Sequence, residues 1–180
     1  MAYAIVYSLN TNIEKINKFR QKYDPQFDLI EPHITLVFPL LQSINEDSLT
    51  LHIKSILRKC KPFPIHLKGL QKSWDEYLFL MVQEGKEDVI KLHNELYTGI
   101  LAEYCRENPP FVPHLTLGVF SENRLQYPQA LKEAQELDLD YRCMVDKLSL
   151  LKINDVNRQI VWSQEYRIYI NTLGLELEPP

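Results

Sequence analysis

The chain has 180 residues with 20 Lys and Arg against 24 Asp and Glu, a net charge of −4, and 45% hydrophobic residues. That is the balance of a globular protein, and a chain of this length buries roughly 70% of the surface its unfolded form exposes, enough for a core without metal or disulfide support. It excludes a protein that coats long nucleic acid, which needs clustered positive charge. The absence of both G-x-x-x-x-G-K-[ST] and G-x-G-x-x-G, in a sequence with only five glycines, excludes the common phosphate-binding loops.

The chain opens on AYAIVYSL (2–9), rich in β-branched and aromatic residues, which predicts a buried strand. Asn10-Thr11-Asn12 offers helix caps, and Ile16 and Phe19 give residues 12–22 a helical period. After Asp24-Pro25 and Pro32, HITLVF (33–38) predicts a short strand stopped by Pro39. Asn45 opens an amphipathic helix through Leu49, Ile53, Ile56 and Leu57. Two strands follow at 63–74 and 76–84 with a turn at Trp74-Asp75-Glu76. The pattern then returns: one long helix over 86–105, a strand HLTLGVF (114–120), a helix over 127–137 with Pro128 in its first turn, and strands over 142–153 and 159–170 joined across 154–158. Residues 171–180 are polar, end in prolines and predict a loosely held tail.

Each half thus reads helix, short strand, helix, strand, strand, with one extra strand in front. The expected fold is α+β: two duplicated lobes, about 1–84 and 85–170, with mainly antiparallel sheets related by a pseudo-two-fold around a central cleft. No leader with a cleavage site, no apolar run of the ~20 residues that span a bilayer, and three cysteines (Cys60, Cys105, Cys143) without C-x-x-C spacing predict a cytoplasmic protein; the two lobes are expected to form one monomer, and no cofactor is expected.

The matching strands carry nearly the same words, Pro32-His33-Ile34-Thr35-Leu36 and Pro113-His114-Leu115-Thr116-Leu117. Residues i and i+2 of a strand share a face, so His33 projects with Thr35 and His114 with Thr116. If the lobes pack symmetrically, two imidazoles and two hydroxyls meet in one cleft. One imidazole can take a proton while the other gives one, and the hydroxyls can stabilise charge on phosphate oxygens. That set suits phosphodiester cleavage without metal. A metal site on His33 and His114 would need a third ligand, and no H-x-x-x-H or carboxylate cluster supplies one.

On these residues the chain resembles the 2H phosphoesterase superfamily, and within it the 2′-5′ RNA ligase and RNA cyclic phosphodiesterase group, marked by two His-x-[Ser/Thr]-x motifs about 80 residues apart on strands of duplicated lobes. The resemblance covers roughly residues 1–170. It implies His33 and His114 as the catalytic pair and Thr35 and Thr116 as phosphate-binding residues. The implied substrate is a nucleotide or RNA end bearing a 2′,3′-cyclic phosphate or 2′-5′ linkage; the acidic charge balance and the lack of an apolar span predict no long duplex nucleic acid and no membrane as partner. The chain departs from some bacterial members, which place an arginine soon after the second motif, where Leu117-Gly118-Val119-Phe120 stands here.

The alternatives are a non-catalytic nucleotide-binding module and a reversible 2′-5′ RNA ligase, the same chemistry run backwards. His52, His66 and His93 lie outside the repeated motif and read as structural. Trp74, Tyr77, Phe79, Trp162 and Tyr166 are expected in the hairpins walling the cleft, where packing competes with base stacking. Lys72, Lys152 and Arg158 could meet a phosphate, with solvated surface as the competing reading. The two-histidine scheme also predicts a bell-shaped rate profile near neutrality.

Overall fold

The structure, a computed structural model, describes residues 1–9, 13–41, 44–73, 75–106 and 109–169. Its strands and helices run β1 (Ala2–Ser8), α1 (Glu14–Tyr23), β2 (His33–Leu40), α2 (Glu46–Leu57), β3 (Phe63–Lys72), β4 (Tyr77–Val82), α3 (Lys86–Leu96), β5 (His114–Val119), α4 (Tyr127–Glu136), β6 (Asp140–Val145), β7 (Lys147–Ile153) and β8 (Ile160–Arg167). The strands form two four-stranded sheets of order β2-β1-β7-β8 and β5-β4-β3-β6, with every pairing antiparallel. The α+β architecture expected from the sequence is the one observed.

Strand alternation sorts the core. On β1, Tyr3, Ile5 and Tyr7 join the main cluster with Ile34, Leu36, Leu148, Leu150 and the helix residues Ile16, Phe19, Leu49 and Ile53. Ala2, Ala4 and Val6 turn to the opposite face and pack with Leu151 and Ile153. Helix α2 begins where Asn45 accepts the Ser48 N–H at 2.9 Å, the cap its sequence position predicts. Pro128 sits in the first turn of α4.

The two sheets match strand for strand at their first two positions, because β1 pairs β2 as β4 pairs β5. Helix α1 packs on β5, α3 packs on β2, and the edge strands β2 and β5 lie beside each other. This reciprocal packing brings the two repeated motifs together.

Four expectations change. A division at 84/85 does not separate the sheets, since β1 and β2 pair with β7 and β8 while β3 to β6 make the other sheet. The chain crosses at Asp146, whose carbonyl accepts the Ile168 N–H at 2.7 Å, so the strand expected over 142–153 is β6 and β7 in different sheets. The alternation runs unbroken through Asp146 and hides that crossing. The helix expected over 86–105 stops at Leu96 and resumes as a 3-10 turn, Gly99–Tyr104. Gly99 enters that turn at φ +54°, backbone that glycine adopts freely. Strand β2 runs through Pro39 to Leu40, tolerated because an edge strand need not donate every N–H. Trp74, the Asn10–Asn12 caps and the 171–180 tail lie outside the described residues.

Candidate active site

His33 and His114 are the first residues of β2 and β5. In register, His33 faces Ser8 and Thr35 faces Val6, while His114 faces Met81 and Thr116 faces Phe79. The intervening Ile34, Leu36, Leu115 and Leu117 are all buried, whereas both histidines and both threonines are only partly covered. Alternation on two edge strands therefore presents both His-Thr pairs on the faces opposite the core, with β2 and β5 side by side.

The two imidazoles are held by the same device. His33 Nδ1 lies 2.8 Å from the Glu31 carbonyl and His114 Nδ1 2.6 Å from the Val112 carbonyl. A carbonyl oxygen can only accept, so each Nδ1 carries the proton and each Nε2 is the nitrogen free to exchange one. The proline between histidine and carbonyl makes the bend possible, having no N–H of its own to satisfy. The Pro32 carbonyl accepts the Leu9 N–H at 2.8 Å, and the Pro113 carbonyl accepts the Val82 N–H at 3.2 Å.

Burial pushes both imidazoles below the usual 6.5, and the carbonyl bonds oppose it. Beyond that the surroundings differ. For His33 the Arg20 guanidinium and His114 add to the lowering while Asp24 opposes it. For His114 the Asp75 carboxylate favours the charged form. Arg20 is 2% exposed. Its Nε and Nη2 each donate to Asp24 Oδ2 at 2.8 Å, and Nη2 also donates to the Ile30 carbonyl at 2.9 Å. Asp24 Oδ1 accepts the Gln26 N–H at 2.9 Å. The pair thereby ties α1 to the segment that delivers Glu31, Pro32 and His33. On the other side, the Phe79 ring stacks on His114 with centroids 3.7 Å apart and planes 27° apart.

The remaining histidines are occupied elsewhere. His52 Nε2 lies 2.9 Å from the Leu96 carbonyl. His66 sits between Asp140, at 2.7 Å, and Glu84, at 3.4 Å. Buried His93 donates from Nδ1 to the Leu36 carbonyl at 2.8 Å and stacks on Phe111 at 3.8 Å. Of the aromatics, Tyr77 and Phe79 alternate onto the His114 face of β4, with rings 5.9 Å apart. Tyr166 instead bonds Thr50 of α2 through its hydroxyl at 2.9 Å, and Trp162 packs against the main core, so neither walls a cleft: alternation on β8 turns both toward the helices. Lys72 pairs with Glu76 at 2.7 Å and Lys152 with Glu46 at 2.8 Å. Among the described residues no three His, Cys, Asp or Glu side chains gather to hold a metal ion, and no helix is long and apolar enough to cross a membrane.

Sequence reasoning missed Arg20, Asp24 and Asp75. The i, i+4 spacing of Arg20 and Asp24 was a readable signal; their burial was not, because it depends on the segment 25–32 folding back over them.

The profile of the 2′-5′ RNA ligase superfamily matches residues 8–157. A provisionally named phosphoesterase of Bacillus licheniformis is 27% identical over 172 residues, 94% of this chain and 90% of its own. A similarly named protein of Geobacillus thermodenitrificans is 30% identical over 142 residues, 71% of this chain and 80% of its own. Among solved structures, a Thermus thermophilus protein superposes with a TM-score of 0.63 at 16% identity, over 93% of this chain and 98% of that one. Escherichia coli LigT in complex with 3′-AMP gives 0.57 at 16% identity, over 93% and 95%. Structural likeness at these identities shows the fold.

Proposed function

The chain belongs to the 2′-5′ RNA ligase superfamily, and from that premise we propose that it is a metal-independent phosphoesterase in which His33 and His114 cleave a 2′,3′-cyclic phosphate or 2′-5′ phosphodiester in a nucleotide or RNA end. The observation that carries the proposal is the matched pair of imidazoles, each with Nδ1 bonded to the carbonyl two residues earlier. Two Nε2 atoms so presented form an acid–base pair with no further group required.

The neutral imidazole takes a proton from water as the water oxygen bonds to phosphorus. The bond from phosphorus to the ribose oxygen breaks, and the imidazolium gives its Nε2 proton to that oxygen. The two rings end with their charge states exchanged and still one Nε2 proton between them, ready for a second turnover once that proton re-equilibrates. Thr35 and Thr116 donate from their hydroxyls to the non-bridging oxygens as charge builds there. That LigT has been solved with 3′-AMP supports a nucleotide as the ligand of this chain as well.

The test is incubation with a panel of nucleoside 2′,3′-cyclic phosphates and 2′-5′ dinucleotides in EDTA, with the products identified and a ligation arm run in reverse. The expected result is a nucleoside monophosphate formed in chelator. Binding without turnover of any substrate would leave a nucleotide-binding module, and turnover only on addition of a divalent ion would overturn the mechanism.

A further inference from the structure

The two half-sites match in backbone and tautomer but not in what lies against each imidazole. Thr116 is paired across the sheet with Phe79, and the Phe79 ring lies flat against His114 at 3.7 Å. The corresponding neighbour on the other sheet, opposite Thr35, is Val6, which has no ring to offer. An aromatic face within about 6 Å attracts a cation through its quadrupole, so a flat ring on one imidazole of the pair favours the charged form of that one.

We infer that Phe79 is the positioning residue that makes His114 the protonated member of the pair, and hence the general acid, leaving His33 as the base. The inference rests on the phosphoesterase reading for its consequence, since it assigns directions within that reaction. His33 then takes the proton of the attacking water, and His114 protonates the departing ribose oxygen, which places the nucleoside on the Phe79 side of the cleft.

The fixed charges agree. Asp75, in the segment between β3 and β4, carries the negative charge that favours the charged form of His114. Around His33 stand Arg20 of α1, which disfavours charge, and Asp24 at the end of that helix, which favours it; the repulsion between His33 and His114 is mutual and does not order the pair. Helix α3, packed on β2, brings His93, whose Nδ1 is committed to the Leu36 carbonyl. Burial lowers both members, and the ring face and fixed charges act on top of it.

The test is an NMR titration of ligand-free full chain, following the ring signals of His33 and His114, with His33→Gln and His114→Gln used to assign them. His114 is expected to titrate at the higher pH. Phe79→Leu, which keeps the apolar cover and removes the ring face, should lower the His114 midpoint by about 0.5–1.5 pH units, and Phe79→Trp should hold it. A higher midpoint for His33, or a His114 midpoint that stays or rises in Phe79→Leu, would overturn the inference. Should Phe79→Leu not fold, the wild-type order and the Phe79→Trp titration decide. The titration contains no substrate, so it can fail while turnover in EDTA stands, and turnover can fail while the order holds.

Discussion

Replacing Arg20 by methionine is a sharp test of how the first histidine is held. Arg20 and Asp24 have side chains only 2% and 4% exposed, and the guanidinium supplies both 2.8 Å contacts to Asp24 Oδ2 and the 2.9 Å bond to the Ile30 carbonyl. Without it a buried carboxylate keeps one N–H, from Gln26, and the Ile30 carbonyl loses its side-chain partner. Breaking one side of a buried pair costs about 3–5 kcal/mol, a large share of the roughly 5–15 kcal/mol that holds a domain together. At about 2–4 °C per kcal/mol for a chain of this size, the melting temperature falls by roughly 6–20 °C. Because Arg20 Nη1 is buried without a partner, the pair is not ideally satisfied, and removing both charges should cost less than removing one. The assay is urea unfolding of Arg20→Met and of Arg20→Met with Asp24→Asn. The reasoning is refuted if the single variant loses less than about 1 kcal/mol, or if the double variant is no more stable than the single.

Three further outcomes follow from the same geometry. His93→Leu leaves the buried Leu36 carbonyl without its 2.8 Å donor and should cost about 1–3 kcal/mol in denaturant unfolding; unchanged stability would remove His93 from the support of β2. His33, His93 and His114 all titrate below 6.5 in the folded chain because of burial. Below 6.5 the unfolded state therefore binds more protons, and stability should decline as pH falls through that value and be level in this respect above it; a urea midpoint that rises on acidification to about pH 5.5 would contradict the assignment. The same lowering moves the kcat/KM bell, which reports the free enzyme's pair, to a maximum below about pH 6.5 and away from the neutrality that unperturbed histidines imply. Bound phosphate favours the imidazolium, so the kcat bell should lie higher; a kcat/KM maximum above about pH 7 would count against the buried pair.

The histidine–threonine motif was legible because it is local: one residue of offset decides which face a strand side chain takes, and Pro32 and Pro113 mark where the two strands begin. The fold class was legible for the same reason, from the alternation in β1 and the helical periods of α2 and α3. Which sheet a strand joins was not. Lys147–Ile153 follows β6 with one residue between, yet pairs with β1, and that choice rests on which edge is open in three dimensions. The break after Leu96 was similarly hidden, since Ile100 and Leu101 continue the apolar period across Gly99. Nor could the sequence tell Phe79, stacked on an imidazole, from Trp162, packed into the core, because both occupy apolar positions of a hairpin strand.

The most direct test of the central claim is single-turnover hydrolysis of a nucleoside 2′,3′-cyclic phosphate in EDTA by wild type, His33→Ala, His114→Ala and the double variant. Acid–base catalysis by a positioned side chain supplies about 10²–10⁴-fold, so each single variant should fall by at least that order with its fold intact. The double variant should be little worse than either, because the two groups act in one step. Wild-type rates in either single variant, or losses in the double variant that multiply as for independent groups, would contradict a concerted two-histidine mechanism.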